Sequence, residues 1–117
     1  MYDRPSLNGN IAETAVITKF SDATLVNCQA QANIGVKYAK HAGFVVVQIY
    51  VNSLTAKANT LITTLPDGYR PLMAVGYVGK GGLTYDAKAF FSISDSGAIY
   101  VYSDDTYAQG YIVFWAK

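Results

Sequence analysis

The chain contains 117 residues, 51% of them hydrophobic and 15% charged, and its formal net charge is +1 at pH 7. This length indicates one domain with a single core, and the apolar content excludes an intrinsically disordered chain. Scattered lysines and a near-neutral balance argue against a nucleic-acid-binding surface, and the single cysteine, Cys28, excludes an internal disulfide and a cysteine-based metal site.

The N-terminal third carries the weakest pattern. We interpret residues 1–117 as one domain in which residues 1–10 (MYDRPSLNGN) are an N-terminal extension or a linker remnant, because this stretch is polar and lacks the apolar core of a signal peptide. Residues 15–20 (AVITKF) and 25–34 (LVNCQAQANI) predict two strands. The longest apolar run, residues 44–47, is too short to cross a membrane, so no membrane insertion is expected.

Residues 35–52 (GVKYAKHAGFVVVQIYVN) predict a β-hairpin. Ala42 and Gly43 provide its turn, and the flanking residues alternate with a period of two. One face of the second strand is purely branched aliphatic, which predicts that it faces the core. That face consists of Val45, Val47, Ile49 and Val51. Residues 54–62 (LTAKANTLI) have partly helical spacing, but their threonines and asparagine favour a loop.

Residues 63–71 (TTLPDGYRP) predict a rigid corner. Pro66 suits the second position of a β-turn, and Gly68 accepts the backbone that follows. Pro71 cannot donate a hydrogen bond to a neighbouring strand, so it is predicted to begin the next strand. Arg70 is predicted to be structural, with its guanidinium bound to carbonyls of the corner or to an acid of a neighbouring subunit.

The segments after the corner predict a strand at residues 72–78 and a flexible connection at residues 79–82 (GKGG), which lacks the spacing of a phosphate-binding loop. KAFFSIS and AIYVYS, joined by Asp-Ser-Gly, predict a second hairpin. Residues 103–110 predict a loop, and residues 111–117 predict the last strand. Many short strands with regular turns indicate an all-β fold, an antiparallel β-sandwich similar to a jelly roll of roughly eight strands.

The last strands carry apolar side chains on both faces. Ile112 and Phe114 share one face, and the opposite face is rich in aromatic residues, more than a monomer normally exposes. We therefore predict a subunit interface formed by Tyr100, Tyr111, Val113 and Trp115. The alternative is that a loop of the same chain covers this face.

The residues available for catalysis are few. His41 is the only histidine and Glu13 the only glutamate, so a catalytic triad has little basis. Asp104 and Asp105 are adjacent and would point in opposite directions on a strand, whereas glycoside hydrolysis needs two carboxyl groups facing one bond. They also lack the ligand spacing of a calcium loop. We expect no enzyme, no metal and no cofactor.

The ten tyrosines favour carbohydrate recognition, because a tyrosine offers a flat apolar ring with a polar tip. In a loop beside aspartates, a ring can cover the C–H face of a sugar while the acids accept hydroxyl protons. The residues predicted to bind a saccharide are Tyr102, Asp104, Asp105, Tyr107 and His41. The alternative is that Tyr102 packs on its own sheet and Tyr107 only covers the loop.

The order of these segments resembles the C-terminal head domains of tailed-bacteriophage receptor-binding, tail-fibre and baseplate proteins. The resemblance covers residues 35–117, and its two motifs are a TLPxGYRP corner and an I-x-x-x-G-x-I-x-V strand-turn-strand. The matching residues are Leu65, Pro66, Gly68, Tyr69, Arg70 and Pro71 in the first motif and Ile93, Gly97, Ile99 and Val101 in the second.

This resemblance implies a non-catalytic, homotrimeric head at the tail tip or baseplate of a virion, present in the host cytoplasm during assembly. Its implied ligands are host cell-wall polysaccharide or teichoic acid, and no binding residue transfers from the family. Some similar domains serve only as attachment points for other tail or baseplate proteins. A trimeric ligand of the tumour-necrosis-factor or complement type and a glycan hydrolase are further alternatives.

Overall fold

The computed structural model describes residues 19–82, 84 and 86–117, and these residues form nine strands and no helix. The strands are β1 (Ser21–Asp22), β2 (Gln29–Ala30), β3 (Val36–His41), β4 (Phe44–Asn52), β5 (Thr60–Thr64), β6 (Val75–Lys80), β7 (Lys88–Ile93), β8 (Ala98–Ser103) and β9 (Ala108–Trp115). The prediction of an all-β chain is confirmed for this part of the sequence.

The strands form one curled antiparallel sheet in the order β1-β3-β4-β9-β6-β7-β8-β5, and β2 pairs with β4 beside this path. Residues 23–27 bring the two edges of the sheet together. The amide of Ala23 donates to the carbonyl of Val36 on β3, and the amide of Val26 donates to the carbonyl of Ile62 on β5. Backbone groups that an edge strand would leave unpaired are thereby satisfied.

The core lies on the inner side of the curl. Burial alternates along β4, as the sequence predicted, and its four inward aliphatic side chains are at most 2% exposed. Alternating residues of β7, β8 and β9 complete the core, among them Phe91, Ile99 and Phe114. Both predicted hairpins are confirmed: β3 turns into β4 at Ala42–Gly43, and β7 turns into β8 at residues 94–97.

Several expected segments differ from the structure. The strand expected at residues 25–34 is reduced to the two residues of β2, because Asn27 and Asn33 adopt positive φ and interrupt the extended backbone. The sequence did not predict β5, and residues 79 and 80 extend β6 instead of forming a loop. The loop expected at 103–110 ends where β9 begins, at Ala108. Residues 1–10 and 15–18 lie outside the described residues.

The corner at residues 63–71 exists, with a different register from the predicted one. The carbonyl of Pro66 accepts a hydrogen bond from the amide of Tyr69, so Pro66 is the first residue of the turn. Gly68, with φ of +90°, occupies the third position, where a type II turn requires positive φ. Pro71 forms an isolated bridge with Ala116 and does not begin a strand, since β6 starts four residues later.

Arg70 ties the corner together. Its Nε donates to the carbonyl of Leu65 at 2.8 Å, and its Nη1 lies 3.0 Å from a carboxylate oxygen of Asp67. The contact with a corner carbonyl is one of the two alternatives that the sequence left open, the other being an acid of a neighbouring subunit. The backbone carbonyl of Arg70 also accepts from the amide of Lys117, so the corner holds the end of the chain.

Candidate functional site

The outward face of β4 and β9 carries an uncharged strip of side chains. Side chains alternate along a strand, so the residues of β4 that lie between its inward aliphatic residues point out of the sheet. There they meet the outward residues of β9. We call these residues the outer strip: the facing pairs are Phe44 and Trp115, Val46 and Val113, Gln48 and Tyr111, and Tyr50 and Gln109. Its two ends differ in chemistry.

The apolar end consists of Phe44, Val46, Val113 and Trp115. The rings of Phe44 and Trp115 stack with centroids 3.8 Å apart, and the indole also packs over Gly43. Even so, 59% of Trp115 and 48% of Val113 remain exposed. An exposed group of this kind is typical of a surface that contacts another molecule.

The polar end surrounds a cleft of about 270 Å³. Its walls include Gln48, Tyr50, Gln109 and Tyr111, and Ile34 adds an apolar side chain from the loop before β3. Each glutamine amide offers both donors and an acceptor, and each tyrosine offers an aromatic face and a hydroxyl. The cleft therefore presents groups that can contact both the C–H face and the hydroxyls of a sugar.

A second cavity of about 370 Å³ lies on the other side of Ile34, between β1, β2 and β3. Its charged lining residues, Asp22 and Lys37, form an ion pair with each other. None of the described residues that line it is aromatic. It offers less to a ligand than the cleft, because its charges are already paired and no ring is available for stacking.

The predicted saccharide residues do not form one site. The ring of Tyr102 lies beside Phe90 on the outward face of β7 and β8. The carboxylate of Asp104 accepts from the amide of Lys88, and that of Asp105 accepts from the amide of Thr106. Asp104 therefore holds the backbone at the start of β7, and Asp105 holds the backbone of its own loop.

Two further predicted residues lie closer to the outer strip. The hydroxyl of Tyr107 accepts from the side-chain amide of Gln31 at 2.6 Å, and its ring lies edge-on to Tyr50 with centroids 6.4 Å apart. His41 is half-buried and faces Phe44 at the apolar end. Neither residue, nor any of the three others, lines either cavity.

The four predicted interface residues all lie on the outward side of the sheet. Tyr111, Val113 and Trp115 belong to the outer strip, whereas Tyr100 is half-buried on β8, in the other half of the sheet. The sequence pattern did not indicate Gln48, Tyr50 or Gln109 as site residues. The alternation of β4 already placed Gln48 and Tyr50 on the face away from the core, but nothing in the sequence paired that face with β9.

Metal-ligand clusters and the single thiol were the remaining candidates for chemistry in the described part of the chain. They contain no group of three or more histidine, cysteine or acidic side chains that could hold a metal ion. Cys28 is a free thiol, and burial raises its pKa, which makes the reactive thiolate less abundant. Within the same residues, no helix is long and apolar enough to span a membrane.

Comparison with protein-family models, with characterised proteins and with solved structures gives no match to this chain. The outer strip and the residues around it are therefore the features of this chain that bear on its function.

Proposed function

We propose that this protein is a non-catalytic adhesion domain of a bacteriophage tail tip or baseplate, which binds carbohydrate of the host cell surface. The observation that carries the proposal is the polar end of the outer strip, where Tyr111 is 57% exposed beside a cleft lined by two glutamines. Exposed aromatic rings next to amides are suited to sugars, and the sequence resemblance supplies the biological setting. The domain would act on the virion and would pass through the host cytoplasm during assembly.

The proposed architecture is a jelly-roll-like β-sandwich that assembles as a homotrimer. The sandwich is supported by the narrow junction between β9 and β6, where Lys80 and Gln109 are the paired residues. The core residues of β4 and β9 belong to the same buried cluster as those of β5, β7 and β8. The trimer is supported by the apolar end of the outer strip, which offers Trp115 and Val113 to a second copy.

Assembly into a trimer would also strengthen adhesion. A shallow cleft on one chain binds a sugar weakly, but three clefts on one particle raise the effective concentration for the second and third contacts. Avidity of this kind requires no new contact at any one cleft.

Binding to bacterial cell walls tests the proposal. The full chain is incubated with purified walls of Gram-positive bacteria, and with the same walls after periodate oxidation, which destroys vicinal diols of sugars. We expect binding to untreated walls of a susceptible species and a large loss after oxidation. Because (1→4)-linked N-acetylglucosamine has no vicinal diol and resists periodate, the same binding is also competed with neutral glucose and N-acetylglucosamine oligomers. Equal binding to oxidised and untreated walls that no neutral oligomer competes, or no binding across a broad strain panel, would overturn carbohydrate adhesion.

A second candidate is a structural module that attaches another tail or baseplate protein. The stacked and exposed pair of Phe44 and Trp115 favours it, because an indole with 59% exposure suits a protein contact. In that case the chain would bind no wall polysaccharide, and Trp115→Ala would abolish its association with the neighbouring tail protein.

A further inference from the structure

We propose that the cleft at the polar end of the outer strip holds one neutral sugar ring, stacked on Tyr111 and hydrogen-bonded by Gln48 and Gln109. This inference rests on the proposed carbohydrate adhesion and deepens it, because it assigns the binding site and the charge class of the ligand. The cleft thereby takes the place of the loop containing Asp104 and Asp105, which the sequence had indicated as the saccharide site.

The size of the cleft sets the size of the ligand. At about 270 Å³ it lies just below the range of roughly 300–1,000 Å³ that is usual for pockets of drug-sized molecules. One monosaccharide unit is the appropriate occupant. The neighbouring units of a polysaccharide would extend over the surface beyond the cleft.

The placement of the two amides matches the two sides of a sugar ring. Gln48 faces Tyr111 across β4 and β9, and Gln109 faces Tyr50 one pair further along. The two glutamines are thus diagonal neighbours, which in an antiparallel pair stand about 7–8 Å apart, with their Cβ atoms somewhat closer. Each amide can donate to one hydroxyl and accept from the next, so the two together address hydroxyls on opposite edges of one ring.

The aromatic contact comes from Tyr111. Its ring is more than half exposed, and on one side it is supported by Tyr77, with centroids 6.1 Å apart. A ring held in this way loses little freedom when a ligand binds it, which favours stacking against the C–H face of a sugar. Tyr50 is braced in the same manner by Tyr107.

The charges around the cleft favour a neutral ligand. Among the residues that the structure describes, no acidic or basic one lines it. Lys37, which faces Gln48 from β3, is paired with Asp22, and Lys80, which faces Gln109 from β6, stands outside the lining. A phosphate or carboxylate in the cleft would lose its hydration without gaining a paired cation, and that loss is costly. Neutral hexoses and N-acetylhexosamines incur no such cost.

Calorimetric titration of the full chain with monovalent oligosaccharides tests this assignment. The probes are neutral glucose and N-acetylglucosamine oligomers of two to four units, drawn from several linkages, and short glycerol-phosphate oligomers as the anionic comparison. We expect at least one neutral probe to bind, with an affinity that changes less than twofold between low and high salt.

The variants locate the site. Tyr111→Ala and Gln109→Ala are each expected to weaken binding about tenfold, the loss of one stacking or hydrogen-bond contact. Tyr111→Phe keeps the ring and is expected to bind within about threefold of the wild type. Tyr102→Ala removes another exposed tyrosine, 46% exposed against 57% for Tyr111, on the other half of the sheet, and Lys80→Ala removes the nearby cation. Both variants should bind as the wild type does. Melting curves confirm that each variant is folded.

Three results would overturn the inference in distinguishable ways. Wild-type affinity of Tyr111→Ala and Gln109→Ala for a neutral probe would place the site elsewhere and leave carbohydrate adhesion standing. Binding of glycerol phosphate alone, lost at high salt and in Lys80→Ala, would refute the neutral class. If no probe binds and the oxidised and untreated walls also behave alike, both the site and the proposed function fail.

Discussion

Phe44, the first residue of β4, stacks on Trp115, the last residue of β9, with ring centroids 3.8 Å apart on the outside of the sheet. Both residues nevertheless remain more than 40% exposed. A stacked pair of this kind is pre-ordered, so covering it with another molecule costs little additional side-chain entropy. It is the best-defined apolar contact surface that the outer strip offers.

Trp115 is the only tryptophan of the chain, so its fluorescence reports directly on the apolar end. We expect acrylamide to quench it efficiently in dilute protein and less efficiently as the concentration rises, because the proposed trimer would cover the indole. Light scattering should show the mass increasing over the same range. Trp115→Ala should remain a monomer throughout, and Tyr102→Ala should assemble normally. Unchanged quenching at all concentrations would refute a subunit interface at this position.

Arg70 should stabilise the corner through its bond to Leu65. Arg70→Ala is expected to lower the free energy of unfolding by about 1–3 kcal/mol, because the buried carbonyl loses a charged donor. Asp67→Ala removes only the exposed ion pair and should cost less than about 1 kcal/mol, since the aspartate side chain is 95% exposed. Urea unfolding measures both. Equal losses in the two variants would mean that the ion pair, and not the carbonyl bond, matters.

Gly79 allows β6 to approach β9. A Cβ added there would lie 2.3 Å from the carbonyl oxygen of Gln109 and 2.5 Å from the ring of Phe91, closer than real atoms come. Gly79→Ala should therefore destabilise the fold by about 1–3 kcal/mol or more. Gly76→Ala on the same strand is the matched control, because its Cβ would meet nothing nearer than 3.4 Å. An equal drop in melting temperature for both variants would argue against a close approach of β6 to β9.

The inward and outward faces should respond differently to truncation. Ile49 is 2% exposed, and Ile49→Ala should cost about 2–5 kcal/mol from lost burial and a residual cavity. The milder Ile49→Val should cost about 0.5–1.5 kcal/mol and keeps the test readable if the alanine variant does not fold. Val113→Ala, outward and 48% exposed, should change stability by less than about 0.5 kcal/mol in dilute protein. A cost for Val113→Ala as large as that for Ile49→Ala would contradict the assignment of faces.

The raised pKa of Cys28 predicts a thiol that reacts slowly in the folded protein and a loss of folding stability at alkaline pH. Burial disfavours the thiolate in the folded chain, so a thiol reagent at pH 8 should react more slowly with native than with urea-unfolded protein. The unfolded thiol ionises first as pH rises. The contribution of Cys28 to stability is therefore full below the unfolded pKa and is lost as pH rises through the folded pKa.

Replacement of this thiol provides the control. Cys28→Ser should remove that part of the alkaline loss while leaving the remaining pH dependence in place. Native and unfolded protein that react with the reagent at the same rate would show that the thiol is freely accessible, against its half-buried position.

The candidate site was predictable in part. Alternation along the last strand was enough to place Tyr111, Val113 and Trp115 on the outward face, because that pattern depends only on the geometry of a strand. The saccharide residues expected around residues 102–107 were chosen for their composition, and composition does not report which carboxylates the backbone already uses. Asp104 is engaged with Lys88, a residue distant in sequence, which only the packed chain reveals.

Local patterns predicted the two hairpins, β3–β4 and β7–β8, since their turns and alternation act between near neighbours in the chain. Only the folded protein decided that β9 lies beside β4, which brings Gln48 and Tyr111 together across a separation of more than sixty residues. Pairings of that kind depend on how the whole set of apolar faces closes around one core, and many registers satisfy a single strand equally well. The amino-acid sequence alone therefore determines that the outward surface is aromatic. The cleft exists only because the fold places β9 beside β4.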